Sequence, residues 1–277
     1  MGWLKTVSAE PEPRADRTVL LTVAYDGRPY SGFAIQRNAP TVAGELLAAI
    51  RHFDPGVAKL NVASRTDAGV HARAQKVAFD TARAIPMRAW VLGLAKRLPP
   101  SIVVREALLV SFGFNPRYHT ALKRYRYLVL RDRLADPFLV GRAWRVGGLL
   151  EARHVATMRA ELELVQGTHD FRAFASARDE RPHTERSLVD VAVTEIGERC
   201  SCLAIDVTGD GFLHNMVRIL VGTVVDVGRG RLEAGAMVRA LSSGDRRDAG
   251  VTAPPDGLYL EEVKLKREPG GDRWPQR

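Results

Sequence analysis

Apolar and polar positions alternate first at Val19, Leu21, Val23 and Tyr25, the period of two that marks a strand with one buried face. Asp26-Gly27 ends this strand. Thr41 then offers an N-cap for a helix over 42–53, with Leu46, Leu47 and Ile50 on one side and Asp54-Pro55-Gly56 as its stop. Strands are predicted at 59–65 and 76–81. Pro86 opens a helix over 87–98, Pro99-Pro100 closes it, and a strand follows at 102–110. The order βαββαβ is that of a ferredoxin-like unit. The remainder repeats it: a strand at 121–131, a helix at 151–165, strands at 187–196 and 200–208, helices at 212–227 and 232–242, and a last strand at 258–265. The pattern predicts an α+β fold of two related halves, 17–112 and 113–265, joined into one large, mostly antiparallel sheet with helices on one side. Residues 1–16 read as a disordered lead-in and 266–277 as a disordered, solvated tail.

Composition adds a partner class. The net charge is +9, and of 41 basic residues only seven are lysine. Arginine's planar fork suits phosphate and stacks on bases, so a polyanion, most simply nucleic acid, is expected. Genome composition explains the arginine share equally well, though not the net charge. Cys200 and Cys202 form a C-x-C pair, too close in a strand for a normal disulfide and too few for a closed zinc site. No apolar run approaches the ~20 residues needed to span a bilayer, and no signal peptide is visible, so a cytoplasmic, membrane-free protein is expected.

Candidate chemistry concentrates in three stretches. Residues 62–71, VASRTDAGVH, run a short apolar strand into Asp67 and a glycine loop. A carboxylate there is held by a rigid element yet open to a cleft. Arg65, two residues earlier, shares its face in extended chain and would keep it ionised; spacing alone also fits a surface turn with a local Arg–Asp pair. Residues 114–127, FNPRYHTALKRYRY, place Tyr125 and Tyr127 on one strand face and Arg124 and Arg126 on the other. Residues 211–222, GFLHNMVRILVG, form a broad apolar helical stripe with Arg218 at its edge. A cation in the first turns opposes the helix dipole and calls for a carboxylate partner, or else snorkels to water. Arg28, Arg37, Tyr30 and Phe33 mix bases and aromatics in the 26–38 loop, as suits RNA contact.

The wording of these stretches resembles the tRNA pseudouridine synthase A (TruA) family. The octapeptide from Arg65 to Ala72 matches the family's catalytic motif, with Asp67 at the catalytic position. The second stretch matches a motif whose active-site tyrosine falls on Tyr125; the resemblance implies that it packs on the target base and makes it the favoured candidate for handling the C5 proton. The third matches one whose arginine, here Arg218, pairs with the catalytic Asp. Phe33, Ser64 and Ile219 depart from commoner family residues. Smaller matches, GTHDFRAF and DAGVTAPPDGLYL, keep the same order, so the resemblance covers about residues 18–265. It implies the pseudouridine synthase fold and isomerisation of uridine to pseudouridine at positions 38, 39 or 40 of the tRNA anticodon stem-loop. It implies no metal or organic cofactor, and a homodimer with tRNA crossing its boundary. Arg65 is expected beside the substrate, and Arg117, Lys123, Arg124, Arg28 and Arg37 on the RNA. His71, His169 and His214 read as hydrogen-bonding scaffold.

Two other classes compete. A non-catalytic tRNA-binding or tRNA-folding protein on the same scaffold would bind RNA without making pseudouridine. A carboxylate glycosidase would carry a second acid to activate water, and no paired-acid motif appears.

Overall fold

The computed structural model describes residues 15–275, except 133, 148, 149, 178, 180, 198–201 and 268. Most of the expected lead-in, and Cys200, lie outside the described residues. The first half runs β1 (Arg17–Tyr25), α1 (Val42–Phe53), β2 (Asn61–Val62), β3 (His71–Thr81), α2 (Met87–Ala95) and β4 (Ile102–Val110). A short α3 (Pro116–His119) leads to β5 (Thr120–Leu130). Then come β6 (Trp144–Arg145), α4 (Ala152–Glu163), β7 (Gly167–Asp170), β8 (Glu185–Ile196), β9 (Cys202–Gly209), α5 (Met216–Gly228), α6 (Ala236–Ser243), β10 (Leu258–Leu265) and β11 (Arg273–Trp274).

The strands form one sheet in the order β11-β4-β1-β3-β10-β5-β9-β8-β7, with β2 beside β3 and β6 beside β5. Within the first half the neighbours are β4, β1, β3 and β2; within the second, β10, β5, β9 and β8. Both follow the ferredoxin-like order, and the pairings within each four-strand set are antiparallel. The halves meet where β3 and β10 run parallel, through Tyr259 opposite His71 and Leu260 opposite Ala72.

That junction creates the cleft. A strand has two edges, and β1 occupies one edge of β3 along most of its length. The other edge is divided: β10 takes its start at His71 and Ala72, while β2 takes Val77 and Ala78. The chain between β2 and β3 therefore crosses the gap left between β2 and β10.

The helices cover one sheet face. Phe79 of β3 meets Trp90 of α2 edge-on at 5.0 Å, and Trp90 meets Phe53 of α1. The opposite face is polar. Lys76 donates to Thr22 Oγ1 at 2.8 Å, Thr22 donates to Glu106, and Arg126 forks onto Asp206. Helix α5 is buried nearly all round, as its apolar sequence requires. Among the described residues no helix is long and apolar enough to cross a membrane.

Several boundaries differ from the sequence reading. β2 spans two residues rather than seven, and β3 starts five residues earlier than expected, at His71. The helix expected from 212 begins at Met216, because Asn215 adopts a left-handed conformation (φ 62°) that the preceding turn requires. The tail expected to be disordered returns to the sheet: Arg273 and Trp274 pair with Leu108 and Ala107 of β4.

Candidate active site

The loop bearing Asp67 is held at almost every residue. Gln75, fully buried on β3, accepts from Ser64 N–H at 3.3 Å and donates to Ser64 O at 2.6 Å. A side-chain amide thus replaces the ladder that would have extended β2, and frees the chain to leave the sheet. Thr66 shares a 2.7 Å hydrogen bond with the buried Tyr25 hydroxyl, and Phe33 N–H donates to Thr66 O at 3.0 Å. The loop after β1 underlies it so closely that a Cβ on Gly27 would stand 2.1 Å from Val70 O. At Asp67 the chain turns, with Val70 N–H donating to Asp67 O.

The Asp67 carboxylate projects into a cleft of about 590 Å³ with its side chain 35% exposed. Its two oxygens have different partners. His214 Nε2 lies 3.4 Å from Oδ1, and Arg218 Nη1 lies 3.9 Å from Oδ2. Arg218 is itself aimed: Nε donates to Ala253 O at 2.7 Å and Nη1 to Asn215 Oδ1 at 2.8 Å. Burial draws the Arg218 guanidinium below its ordinary range, and Asp67 opposes that shift. A half-buried cation of this kind favours an anion beside it.

Tyr125 lines the same cleft from β5. Its ring packs edge-on against Phe212 at 5.0 Å, and its hydroxyl shares a 3.0 Å hydrogen bond with Ser64 Oγ. Burial pushes the phenol up to about 12, helped by the nearby Asp67 charge and opposed by the Ser64 hydrogen bond. The group is therefore a neutral phenol at physiological pH. Lys123, two residues back on the same strand face, is drawn down to about 8 by burial and by Arg117, Arg181 and Arg186. Asn115, Arg117, Tyr118, Lys123 and Arg181 give the rim a positive, mixed aromatic character.

Among the described residues the site thus has a nucleotide-sized cleft, one accessible carboxylate, an edge-on aromatic pair and a cationic rim. Asp179 is the only other acid among the described lining residues, and it is tied to Arg181 and to the His214 amide.

Comparison with known proteins is consistent along most of the chain. Residues 162–265 match the family described as "tRNA pseudouridine synthase". The chain is 40% identical over 249 residues to tRNA pseudouridine synthase A of Geobacter sulfurreducens, covering 90% of this chain and all of that one. It is 41% identical to the Moorella thermoacetica protein of the same name, over 88% of this chain and 98% of that one. For Myxococcus xanthus the figures are 39%, 91% and 95%. The chain belongs to the tRNA pseudouridine synthase A family.

Against that assignment the expected residues fall into three groups. Asp67, Tyr125 and Arg218 converge on one cleft, and the expected Arg218–Asp67 contact is present. Arg65, Arg117 and Lys123 also line it, but Arg65 is exposed and, among the described residues, makes no ion pair with Asp67. β2 ends at Val62, so Arg65 and Asp67 lie outside the strand that would put them on one face. Arg124 lies on the opposite sheet face, paired with Asp206 and Glu262. Arg28 is bound to Asp26 and to Val140 O, and neither it nor the exposed Arg37 lines the cleft.

In this synthase His71 is scaffold, as expected: it accepts from Gly27 N–H, and its Nε2 lies 3.2 Å from both Gly141 O and Asp256 O. His214 is not only scaffold, since it faces Asp67. Asp179, Arg181 and Phe212 are site residues that the sequence reading missed. Their only sequence signal is that Phe212 and His214 precede Arg218 in one motif.

Proposed function

We propose that this protein isomerises uridine to pseudouridine in the tRNA anticodon stem-loop, at positions 38, 39 or 40, with Asp67 as the catalytic carboxylate. The observation that carries this reading is the convergence of Asp67, Arg218 and Tyr125 on one cleft. The target base leaves its stack and enters the cleft, with the stem held by phosphate contacts on the basic rim. As the N1–C1′ bond breaks, Asp67 stabilises the positive charge developing at C1′. Uracil turns within the cleft and C5 bonds to C1′. The C5 proton then leaves and N1 gains one, so the reaction is redox-neutral.

Tyr125 stacks on uracil through its ring. A neutral phenol takes up the C5 proton only while giving up its own, and Ser64 Oγ at 3.0 Å is placed to receive that proton while passing the serine hydroxyl's own to water in the open cleft, which in turn returns one to N1. The engaged state of Asp179 supports transfer over hydrolysis, because among the described lining residues no second free carboxylate stands ready to activate water. We place the reaction in the cytoplasm and in a homodimer.

The test is position mapping. tRNA transcripts carrying uridine at 38, 39 or 40 are incubated with the protein, treated with carbodiimide and read by primer extension. Stops at these positions, absent when the uridine is changed to cytidine, support the reading. Binding without any modified position would favour the tRNA-folding protein instead.

A further inference from the structure

Asp67 springs from a loop and is one-third exposed, and among the described residues its two cationic partners both belong to the short segment 214–218. Arg218 is held by Ala253 and Asn215. His214 has no such side-chain partner among the described residues, yet its backbone is fixed at both ends. Its N–H donates to Asp179 Oδ2 at 2.6 Å, and its carbonyl accepts from Ser176 N–H at 2.9 Å. Arg181 completes the clamp: it forks onto Asp179 and donates from Nη1 to Phe212 O at 3.1 Å.

We propose that His214 is a positioning residue for the catalytic carboxylate, and that the Asp179–Arg181 pair exists to hold His214 in place. The inference rests on the role given to Asp67 above. The imidazole meets Oδ1 while Arg218 meets Oδ2, so the plane of the carboxylate is set from both sides. With one partner gone, the remaining contact leaves the carboxylate free to rotate about its terminal torsion, which is intrinsically broad. Reacting groups need placement to within about 0.5 Å, and a misplacement of about 1 Å can cost 100-fold in rate.

The Asp179 carboxylate is committed to this clamp, and Arg181 holds it there from the cleft rim. The Asp179 side chain is 3% exposed, and its oxygens go to Arg181 and to the His214 amide. Arg181, followed by the backbone donors, holds that carboxyl well below its ordinary range, so the clamp stays charged across physiological pH. The left-handed Asn215 then sets the direction in which the chain enters α5. The clamp, the turn and the helix start together give His214 its aim.

The test is single-turnover pseudouridine formation at saturating enzyme, with tRNA affinity measured separately. His214→Phe keeps a ring and removes the donor. His214→Gln restores an amide nitrogen near the place of Nε2. The expected result is a loss of about 10- to 100-fold in rate for His214→Phe, with tRNA affinity essentially unchanged and most of the rate recovered in His214→Gln. Asp179→Asn is expected to slow the reaction in the same direction. A His214→Phe rate close to wild type, a loss confined to affinity, or a His214→Gln as slow as the phenylalanine variant would overturn the proposal. Asp67→Ala separates the two readings: an active Asp67→Ala removes the role of Asp67, whereas an inactive one beside a fully active His214→Phe removes only the role of His214.

Discussion

Gln75 grips Ser64, three residues before Asp67, by both backbone groups, so a side chain does what a neighbouring strand would otherwise do. The consequence is measurable. Gln75→Leu keeps the volume but leaves Ser64 N–H and C=O unmatched, a penalty of about 1–3 kcal/mol. A lower urea midpoint and a slower single-turnover rate are expected together, because the same bonds hold the fold and aim Asp67.

Gly27 supports the loop from below. A Cβ there would stand 2.1 Å from the Val70 carbonyl oxygen, so Gly27→Ala must move one of the two chains. Overpacking of this kind costs about 1–3 kcal/mol. Thermal unfolding should show that loss, and activity should fall with it while the basic rim still binds tRNA.

Lys123 is expected to trade stability for binding. Its ordinary pKa of 10.5 falls to about 8 in the fold, so below pH 8 the fold holds a charge that it disfavours. That cost fades as pH rises from 8 towards 10.5, where the unfolded chain also loses the proton. Lys123→Met should therefore raise the melting temperature of the free protein at pH 7, and this gain should vanish above pH 10. At pH 7 the same variant should bind tRNA more weakly, with a log affinity–log salt slope shallower by about 0.9. Wild-type affinity should decline between pH 7 and 9 more steeply than that of the variant. Unchanged affinity would remove Lys123 from the RNA contact.

Tyr125→Phe separates stacking from proton handling. It keeps the ring against Phe212 and removes the hydroxyl bonded to Ser64. Positioned acid–base groups contribute about 10²- to 10⁴-fold, and a rate loss in that range with intact tRNA binding is expected. Near-normal turnover would assign the C5 proton elsewhere.

The alternation of β1, the capped α1 and the apolar stripe of α5 could all be read along the chain, because each is a local pattern set by burial. The place of Asp67 in a glycine loop is legible too, but spacing alone also fits a surface turn, and the role given to it rests on the resemblance of the octapeptide. What could not be read depends on contacts made from far away. β2 is short because Gln75 stands in for it, and nothing local to 59–65 announces that. α5 starts late because the clamp on 212–214 forces a turn before it. β11 forms only because β4 leaves an edge for Arg273 and Trp274. His214 reads as an ordinary polar residue until the fold brings it against Asp67. Arg124 shows the converse: strand parity alone already separates it from Tyr125, and the structure puts it among acids on the other face.

The most direct measurement is tritium release from tRNA carrying [5-³H]uridine, comparing wild type with Asp67→Ala and measuring tRNA binding for both. Release by wild type, none by the variant and equal binding are expected. Release by Asp67→Ala at a rate near wild type would contradict the central place given to this carboxylate.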